Sequence, residues 1–391
     1  MISISKENHQ NFDVIIAGAG SIGTPCALFL SKAGLKTLVI ETLPSTGQLS
    51  NKHAIGGIRA THSDPSKIYL CTRSLDHFSN WENEYGDDIE WHKGGYSFVA
   101  YNSEIEQILK SLLTIQKGLG LNINWLPKED ILRIIPDLES DNLLGGTYSP
   151  DDGSASPLKS SYALYKQAKS LGAVFHFNET IIDIEIQARK VKKTITDKAK
   201  YSCSILINAA GSKASDISKM IGIEIPVSPD AHEAGITEPI NHIFDPMVVD
   251  IRPRSQSSNF YFYQHPTGKI IFCITPNPQI WGENTIATSE FLPLAAKRLI
   301  EIMPKLKNVR VRRTWRGTYP MTPDGSPILG MVRNLDNYLL AVGMCGQGFM
   351  LGPGVGELLT NLITNNLCET ERETLNALSL YRNFSSKEQL K

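Results

Sequence analysis

An α/β fold, with a parallel central sheet and a second, mostly antiparallel β domain, is predicted by three features of this sequence. Residues 13–41 read as strand, glycine-rich turn, helix and second strand. Residues 204–209 form a continuous apolar run ending in small residues, which fits a strand buried on both faces of a parallel sheet. From about residue 223 to 312 the pattern shifts to short alternating segments, the mark of half-buried strands.

In the first segment an apolar strand at 14–17 runs into Gly18-x-Gly20-x-x-Gly23. Helical spacing follows at Ile22, Cys26, Phe29, Leu30 and Ala33. Gly34 closes the helix, and a strand at 36–40 ends in Glu41. Each part has a task in dinucleotide binding. Gly18 permits the tight turn, Gly20 lets backbone N–H groups approach a pyrophosphate, and Gly23 lets helix and strand pack closely. The helix N-terminus attracts phosphate charge, and Glu41 accepts hydrogen bonds from ribose hydroxyls. All parts in register predict a Rossmann-like nucleotide domain. The motif does not distinguish FAD from NAD.

Downstream, a polar, glycine-bearing stretch at 44–63 precedes a helix over 66–85, and residues 95–101 alternate like a strand. Ser103 with Glu106 reads as a capping box. It opens a helix with an apolar face of Ile105, Ile108, Leu109, Leu112 and Leu113. A short helix at 127–135 stops before Pro136, and another at 158–171 is closed by Gly172. Strands follow near 173–177, 180–186 and 191–196. The second domain carries strands at 247–251, 259–264 and 269–275 and an amphipathic helix at 289–303. Residues 338–342 return to a buried strand that feeds a glycine-rich turn, then a helix from about 354 to 363. The nucleotide domain is therefore discontinuous and three-layered, expected at 1–90, 151–222 and 313–391. The substrate domain takes 91–150 and 223–312, with flanking helices.

A chain of 391 residues suffices for two domains. Apolar residues make up 41% and charged residues 20%, as in a soluble globular protein, and the net charge of -1 points to neither nucleic acid nor an anionic membrane. No apolar run is long enough to span a bilayer, and the polar opening residues lack a signal-peptide core. The six cysteines are scattered without a CxxC pair, so they read as free thiols of a cytoplasmic protein and not as a metal site.

Four stretches, in order along nearly the whole chain, resemble the glycine oxidase, sarcosine oxidase and D-amino-acid oxidase family of FAD-dependent amine oxidoreductases. The first is the Gly18–Gly23 turn with Glu41. The second is Ser50-Asn51 with Gly56-Gly57-Ile58-Arg59. The third is Trp315-Arg316-Gly317-Thr318-Tyr319 with Thr322-Pro323-Asp324-Gly325. The fourth is Gly343-Met344-Cys345-Gly346-Gln347-Gly348-Phe349-Met350. The Gly-Ile-Arg loop and the Thr-Pro-Asp segment look most like the β subunits of hetero-oligomeric sarcosine oxidase and dye-linked L-proline dehydrogenase. The resemblance implies FAD rather than NAD, a small amino-acid or amine substrate and, by the closer likeness, a second subunit.

The resemblance also implies a flavin site in this sequence. Gly18, Ala19, Gly20, Ser21, Ile22 and Gly23 would surround the pyrophosphate, with Ala210 and Gly211 beside it and the adenosine. Glu41 and Thr42 belong at the ribose end. Ser50 and Asn51 join the site, and Gly56, Gly57 and Ile58 match a loop on one side of the flavin ring. Gly346, Gln347, Gly348, Phe349 and Met350 match the loop facing the ring, where a helix N-terminus stabilises the anionic reduced flavin. Monomeric sarcosine oxidases attach FAD to a cysteine that would fall near Gly317, so FAD is expected to be non-covalent here.

The implied reaction oxidises a C–N bond, with hydride moving to flavin N5. It needs an amine held neutral near the ring, a clamp for a carboxylate and a dry pocket. Arg59 is the clamp candidate because arginine pairs bidentately with carboxylates; the alternative is a surface or FAD-phosphate arginine. Tyr263 matches a pocket-lining tyrosine of glycine oxidase, or else packs in the domain core. His265 faces the pocket or solvent. His232, His53 and His62 are further candidates, each as readily a core, surface or loop histidine. Tyr319 stands where glycine oxidase-like members carry a carboxylate-binding arginine, and Met350 where monomeric sarcosine oxidases carry a lysine. Phe272 sits near the place of an oxygen-activating lysine. These departures predict a dehydrogenase for a proline-like, sarcosine-like or related D-amino-acid substrate, passing electrons to a partner redox centre or other acceptor. A peroxide-forming oxidase and a non-catalytic FAD subunit are the alternatives.

Overall fold

The computed structural model describes residues 11–385 and 387–390; the polar segment at 1–10 lies outside the described residues. At its centre the strand Asn11–Ala17 pairs in parallel with Thr37–Glu41 on one side and Lys200–Asn208 on the other. Val174–Phe177 and Tyr338–Val342 extend the sheet in parallel, and Ile328–Met331 closes one edge antiparallel. Side chains alternate across the sheet. Val14 and Ile16 pack into a core shared with the helices Gly23–Lys32, Pro65–Tyr85, Pro157–Ser170 and Gly348–Ile363. Ile15 and Ala17 face the opposite core, which is covered by the antiparallel hairpin Ile181–Gln187 and Lys190–Thr196. Helices, parallel sheet and hairpin make three layers.

The second sheet has eight strands and is antiparallel except where Met247–Asp250 runs parallel to Tyr96–Ala100. The helices Lys128–Ile134 and Phe291–Ile302 pack on one face, and Ser103–Gly118 on the other. Its outer strand is Val311–Met321, paired along its length with Ser228–Pro239. Residues 313–321, expected within the nucleotide domain, thus belong to the second sheet. Strand pairing explains the difference: Ser228–Pro239 pairs with this segment from Thr237 opposite Val311 to Ser228 opposite Met321, while its Tyr319 reaches the cavity at the first domain.

Two local expectations are corrected. Asn102, not Ser103, caps the Ser103–Gly118 helix, its side chain accepting from the Ile105 N–H. The last large helix begins at Gly348, six residues before the expected start, and contains Pro353. Close packing overrides poor helix propensity there. A Cβ at Gly352 would lie 2.1 Å from the Ser21 carbonyl oxygen, and one at Gly356 2.9 Å from the Pro25 carbonyl carbon. Among the described residues, no helix is long and apolar enough to cross a membrane.

A candidate cofactor and substrate site

A cavity of about 530 Å³ opens at the carboxyl ends of the parallel strands, where ligands of such sheets sit. Ala17 and Gly18, Glu41 and Thr42, Ala209 to Gly211, and Ala341 to Gly343 line it from four neighbouring strands. The glycine turn has the shape that its spacing predicts. Gly18 adopts φ +101°, and a Cβ there would meet the Ala209 carbonyl oxygen at 2.8 Å. A Cβ on Gly23 would lie 1.9 Å from the Gly18 carbonyl oxygen, so helix and turn touch through backbone alone. Nothing lies within 4 Å of the corresponding point at Gly20, which faces the open cavity with Ser21 and Ile22.

Glu41 is oriented from behind. Its carboxylate accepts the Ala19 N–H at 2.7 Å and the Leu43 N–H at 2.9 Å, leaving further lone pairs on both oxygens. Across the cavity, Gly346, Gly348 and Phe349 line the wall at the N-terminus of Gly348–Ile363. Ser50 and Asn51 line it too and are fastened at 2.8 Å to the Thr318 carbonyl and 3.0 Å to the Pro157 carbonyl. Lys213 is the one lysine or arginine among the described lining residues. An anion here is therefore met chiefly by backbone N–H groups and helix termini.

The remaining expected cofactor residues stand behind this wall. Ala19 and Gly23 shape the turn. Gly56, Gly57 and Ile58 lie outside the lining, with Gly57 pressed so close to the Tyr96 hydroxyl that a Cβ would come within 1.9 Å of it. Gly317 is covered by His53, whose Cβ lies 2.5 Å from where its own would be. Gln347 is buried at the helix N-cap, and Met350 packs into the helical core rather than lining the cavity.

Tyr319 lines the opposite part of the cavity. Its hydroxyl is 3.0 Å from that of Tyr261. The His232 ring stacks on the Tyr319 ring, with centroids 3.9 Å apart and planes 20° apart. His232 Nε2 lies 3.0 Å from Asp230 Oδ2, while Asp230 Oδ1 accepts the Ile280 N–H at 2.7 Å. Burial raises the Asp230 carboxyl, but the hydrogen bond and charge of His232 outweigh it and the net shift is downward. Asp230 is thus an anion that orients the imidazole. Burial pushes the Tyr261 and Tyr319 hydroxyls up and the Cys273 thiol, hydrogen-bonded to both, up to about 11. At neutral pH the two tyrosines and the thiol are neutral, and the charge at this end is the Asp230 carboxylate behind His232.

The expected catalytic residues are placed differently. Tyr263 gives its hydroxyl to the Ile55 carbonyl at 2.6 Å and so supports the loop before Gly56. Tyr261, two positions earlier on the same face, is the tyrosine that meets Tyr319. His265 sits in a hairpin turn, 2.8 Å from the Thr267 hydroxyl. Phe272 is buried and stacked on Phe291; the neighbouring Cys273 occupies the Tyr261–Tyr319 face. Arg59 is buried, with Nη2 donating to the Leu390 carbonyl at 2.5 Å and Nη1 3.2 Å from His62 Nδ1. It does not line the cavity, because the 387–390 segment and His62 hold its guanidinium elsewhere. Asp230, Tyr261 and Cys273 escaped the sequence reading. The one available signal was the alternation Tyr261-Phe262-Tyr263, which marks a face but not its partner.

Comparison with known proteins identifies the family. A family model described as FAD dependent oxidoreductase (DAO) matches residues 13–362. Glycine oxidase of Bacillus licheniformis is 25% identical over 93% of this chain and 95% of its own length. A hydrogen cyanide synthase subunit of Pseudomonas aeruginosa is 25% identical over 91% of this chain and 93% of its own. The crystal structure of L-proline dehydrogenase from P. horikoshii superimposes with a TM-score of 0.89 at 29% identity, covering 96% of this chain and 98% of that one.

Proposed function

The chain belongs to the family of FAD-dependent oxidoreductases, and from that premise we propose that it is a dehydrogenase for a small secondary amine or amino acid of the proline or sarcosine kind. Its cofactor is FAD and its donors are CH–NH or CH–NH2 groups, as in the glycine oxidase and sarcosine dehydrogenase relatives. Bound FAD supplies the two-electron acceptor for the hydride leaving the C–N bond. The cavity fits it. The open space at Gly20 would take a pyrophosphate against backbone N–H groups, and Glu41 would accept ribose hydroxyls. Gly346 and Phe349, at the N-terminus of Gly348–Ile363, line the cavity and would hold the flavin ring.

The observation that carries the substrate reading is the hydroxyl pair of Tyr261 and Tyr319. In a site with little water, two neutral donors hold a carboxylate or polar group of the substrate without fixing an ammonium by opposite charge. Desolvation there lowers the pKa of the amine, and the neutral amine is the form that releases hydride. Asp230 and His232 hold Tyr319 in place. Among the described residues lining the cavity the one lysine or arginine is Lys213, paired with Glu283 at 2.7 Å, and an unpaired cation near the ring is what speeds reaction of reduced flavin with oxygen. That supports transfer to a partner subunit's redox centre or another acceptor. The likeness to L-proline dehydrogenase supports a second subunit, and six unpaired cysteines support a cytoplasmic setting.

The test is the visible spectrum under nitrogen before and after L-proline, sarcosine, glycine and D-alanine in turn. Bleaching of the flavin by L-proline or sarcosine, with slow colour return in air and fast return with a dye acceptor, is expected. Return in air as fast as turnover would make it an oxidase, and no bleaching by any of the four would overturn the substrate class.

A further inference from the structure

A second cluster of buried charge lies away from the cavity, behind the loop that begins at Gly56. Lys67 and Glu388 form an ion pair of 2.9 Å with both side chains fully buried. Lys67 sits in the first turn of the 21-residue helix Pro65–Tyr85. A buried cation at the positive end of a helix macrodipole is doubly unfavourable unless an anion sits beside it. The other Glu388 oxygen accepts the Ser63 N–H at 2.9 Å and the Ser63 hydroxyl at 2.7 Å. His62 Nδ1 is 3.8 Å from Glu388, and Arg59 reaches the Leu390 carbonyl. Backbone N–H, hydroxyl, ammonium and helix N-terminus converge on one carboxylate, the donor set that recognises oxyanions.

The anion is delivered by a short irregular segment, tied by the Glu388 N–H to the Asp324 carbonyl at 3.2 Å, by the Gln389 N–H to the Ser63 hydroxyl at 2.9 Å, and by buried Leu390. No helix or strand is formed by described residues beyond Ala377. Near its end only Glu388 and Leu390 are buried, while Lys387 and Gln389 are exposed. We propose that the hollow bounded by Arg59, His62, Ser63 and Lys67 is a binding site for a compact oxyanion, carboxylate or phosphate, and that Glu388 is its internal, displaceable ligand. With the segment withdrawn, Arg59 and Lys67 keep Asp152 as the nearby acid and need another anion. The site abuts the flavin-side loop, since Arg59 follows Ile58 directly and Tyr263 holds Ile55. Its occupancy is therefore positioned to shift that loop.

The test uses the FAD-loaded protein, a chain ending at Phe384 and a Glu388→Gln variant, melted with flavin fluorescence as the readout. Sodium acetate and inorganic phosphate are titrated at constant ionic strength against chloride. Either oxyanion should raise the midpoint of both variants by about 2–4 °C and saturate, with at most half that rise in the parent. Lys67→Met in the shortened chain should erase the gain. The more effective anion identifies the ligand's chemistry. Glu388→Gln keeps the shape of the segment and carries the test alone if the shortened chain does not accumulate. Equal responses in parent and variants, or a response that survives Lys67→Met, would overturn the assignment.

Discussion

On the nucleotide side of the cavity, the groups facing the ligand are main-chain N–H groups and one carboxylate, presented by a turn of six residues and a helix end. On the substrate side Tyr319 lines the cavity, backed by the Tyr261 hydroxyl, the His232 imidazole and the Cys273 thiol, which four neighbouring strands bring together: Val311–Met321, Ser228–Pro239, Lys269–Pro276 and Ser257–Gln264. Main-chain recognition fixes where side chains must be absent. Side-chain recognition fixes which strands must lie in which register. The first can be changed only by crowding the backbone, the second by deleting single atoms.

The largest expected effects therefore fall on the nucleotide side. Gly23→Ala places a methyl 1.9 Å from the Gly18 carbonyl oxygen, and moving backbone costs about 3 kcal/mol or more; a lowered denaturation midpoint and loss of flavin should appear together. Gly20→Ala separates the two effects. Its methyl meets nothing within 4 Å, so the denaturation midpoint of the flavin-free protein should hold while FAD affinity falls about a hundredfold, near 2.7 kcal/mol. Flavin bound as tightly as in the parent would mean that Gly20 does not face the pyrophosphate.

Next in size is Asp152, behind the loop between the two sides. It accepts the Ala60 N–H and the Thr61 hydroxyl, and burial pushes its carboxyl up to about 6. A carboxyl raised on folding takes up a proton more readily in the native state. Its contribution is thus fully present below about pH 4 and lost as pH climbs through about 6. The unfolding free energy of the parent minus that of Asp152→Asn, from urea titrations, should fall across that window by about 3 kcal/mol. A difference that is flat with pH would show that the carboxyl is ionised throughout.

Smaller again is the substrate side. Tyr261→Phe and Tyr319→Phe should each raise KM about tenfold, near 1.4 kcal/mol, with flavin content unchanged. The double variant should show a coupling of about 1 kcal/mol, and additive losses would mean that the two hydroxyls act apart. His265→Ala, in its exposed turn, should leave both constants within about twofold; a larger change would bring that turn into the site.

Glycine spacing and Glu41 were legible because the nucleotide cradle is local: one turn, one helix and two adjacent strands within 29 residues of chain. The rest depended on distance in sequence. Arg59 follows a flavin-loop motif and has the right chemistry for a clamp, yet a carbonyl 331 positions away takes its guanidinium. Tyr261 and Tyr263 share a face, so periodicity could not choose between them; Tyr319 and Ile55 decide. Phe272 and Cys273 differ by one position, and a one-residue step in a strand reverses the face. The early start of Gly348–Ile363 was hidden because glycine and proline argue against a helix unless a neighbouring backbone comes close enough to demand them.

The central claim is that the flavin is held by backbone and the substrate by paired hydroxyls. The most direct test is an anaerobic titration of the Tyr319→Phe protein with the amine that bleaches the parent, reading flavin content and half-saturation in one experiment. The account predicts a full complement of flavin and a half-saturation at least tenfold higher than the parent's. Unchanged half-saturation, or loss of flavin alongside, would contradict it.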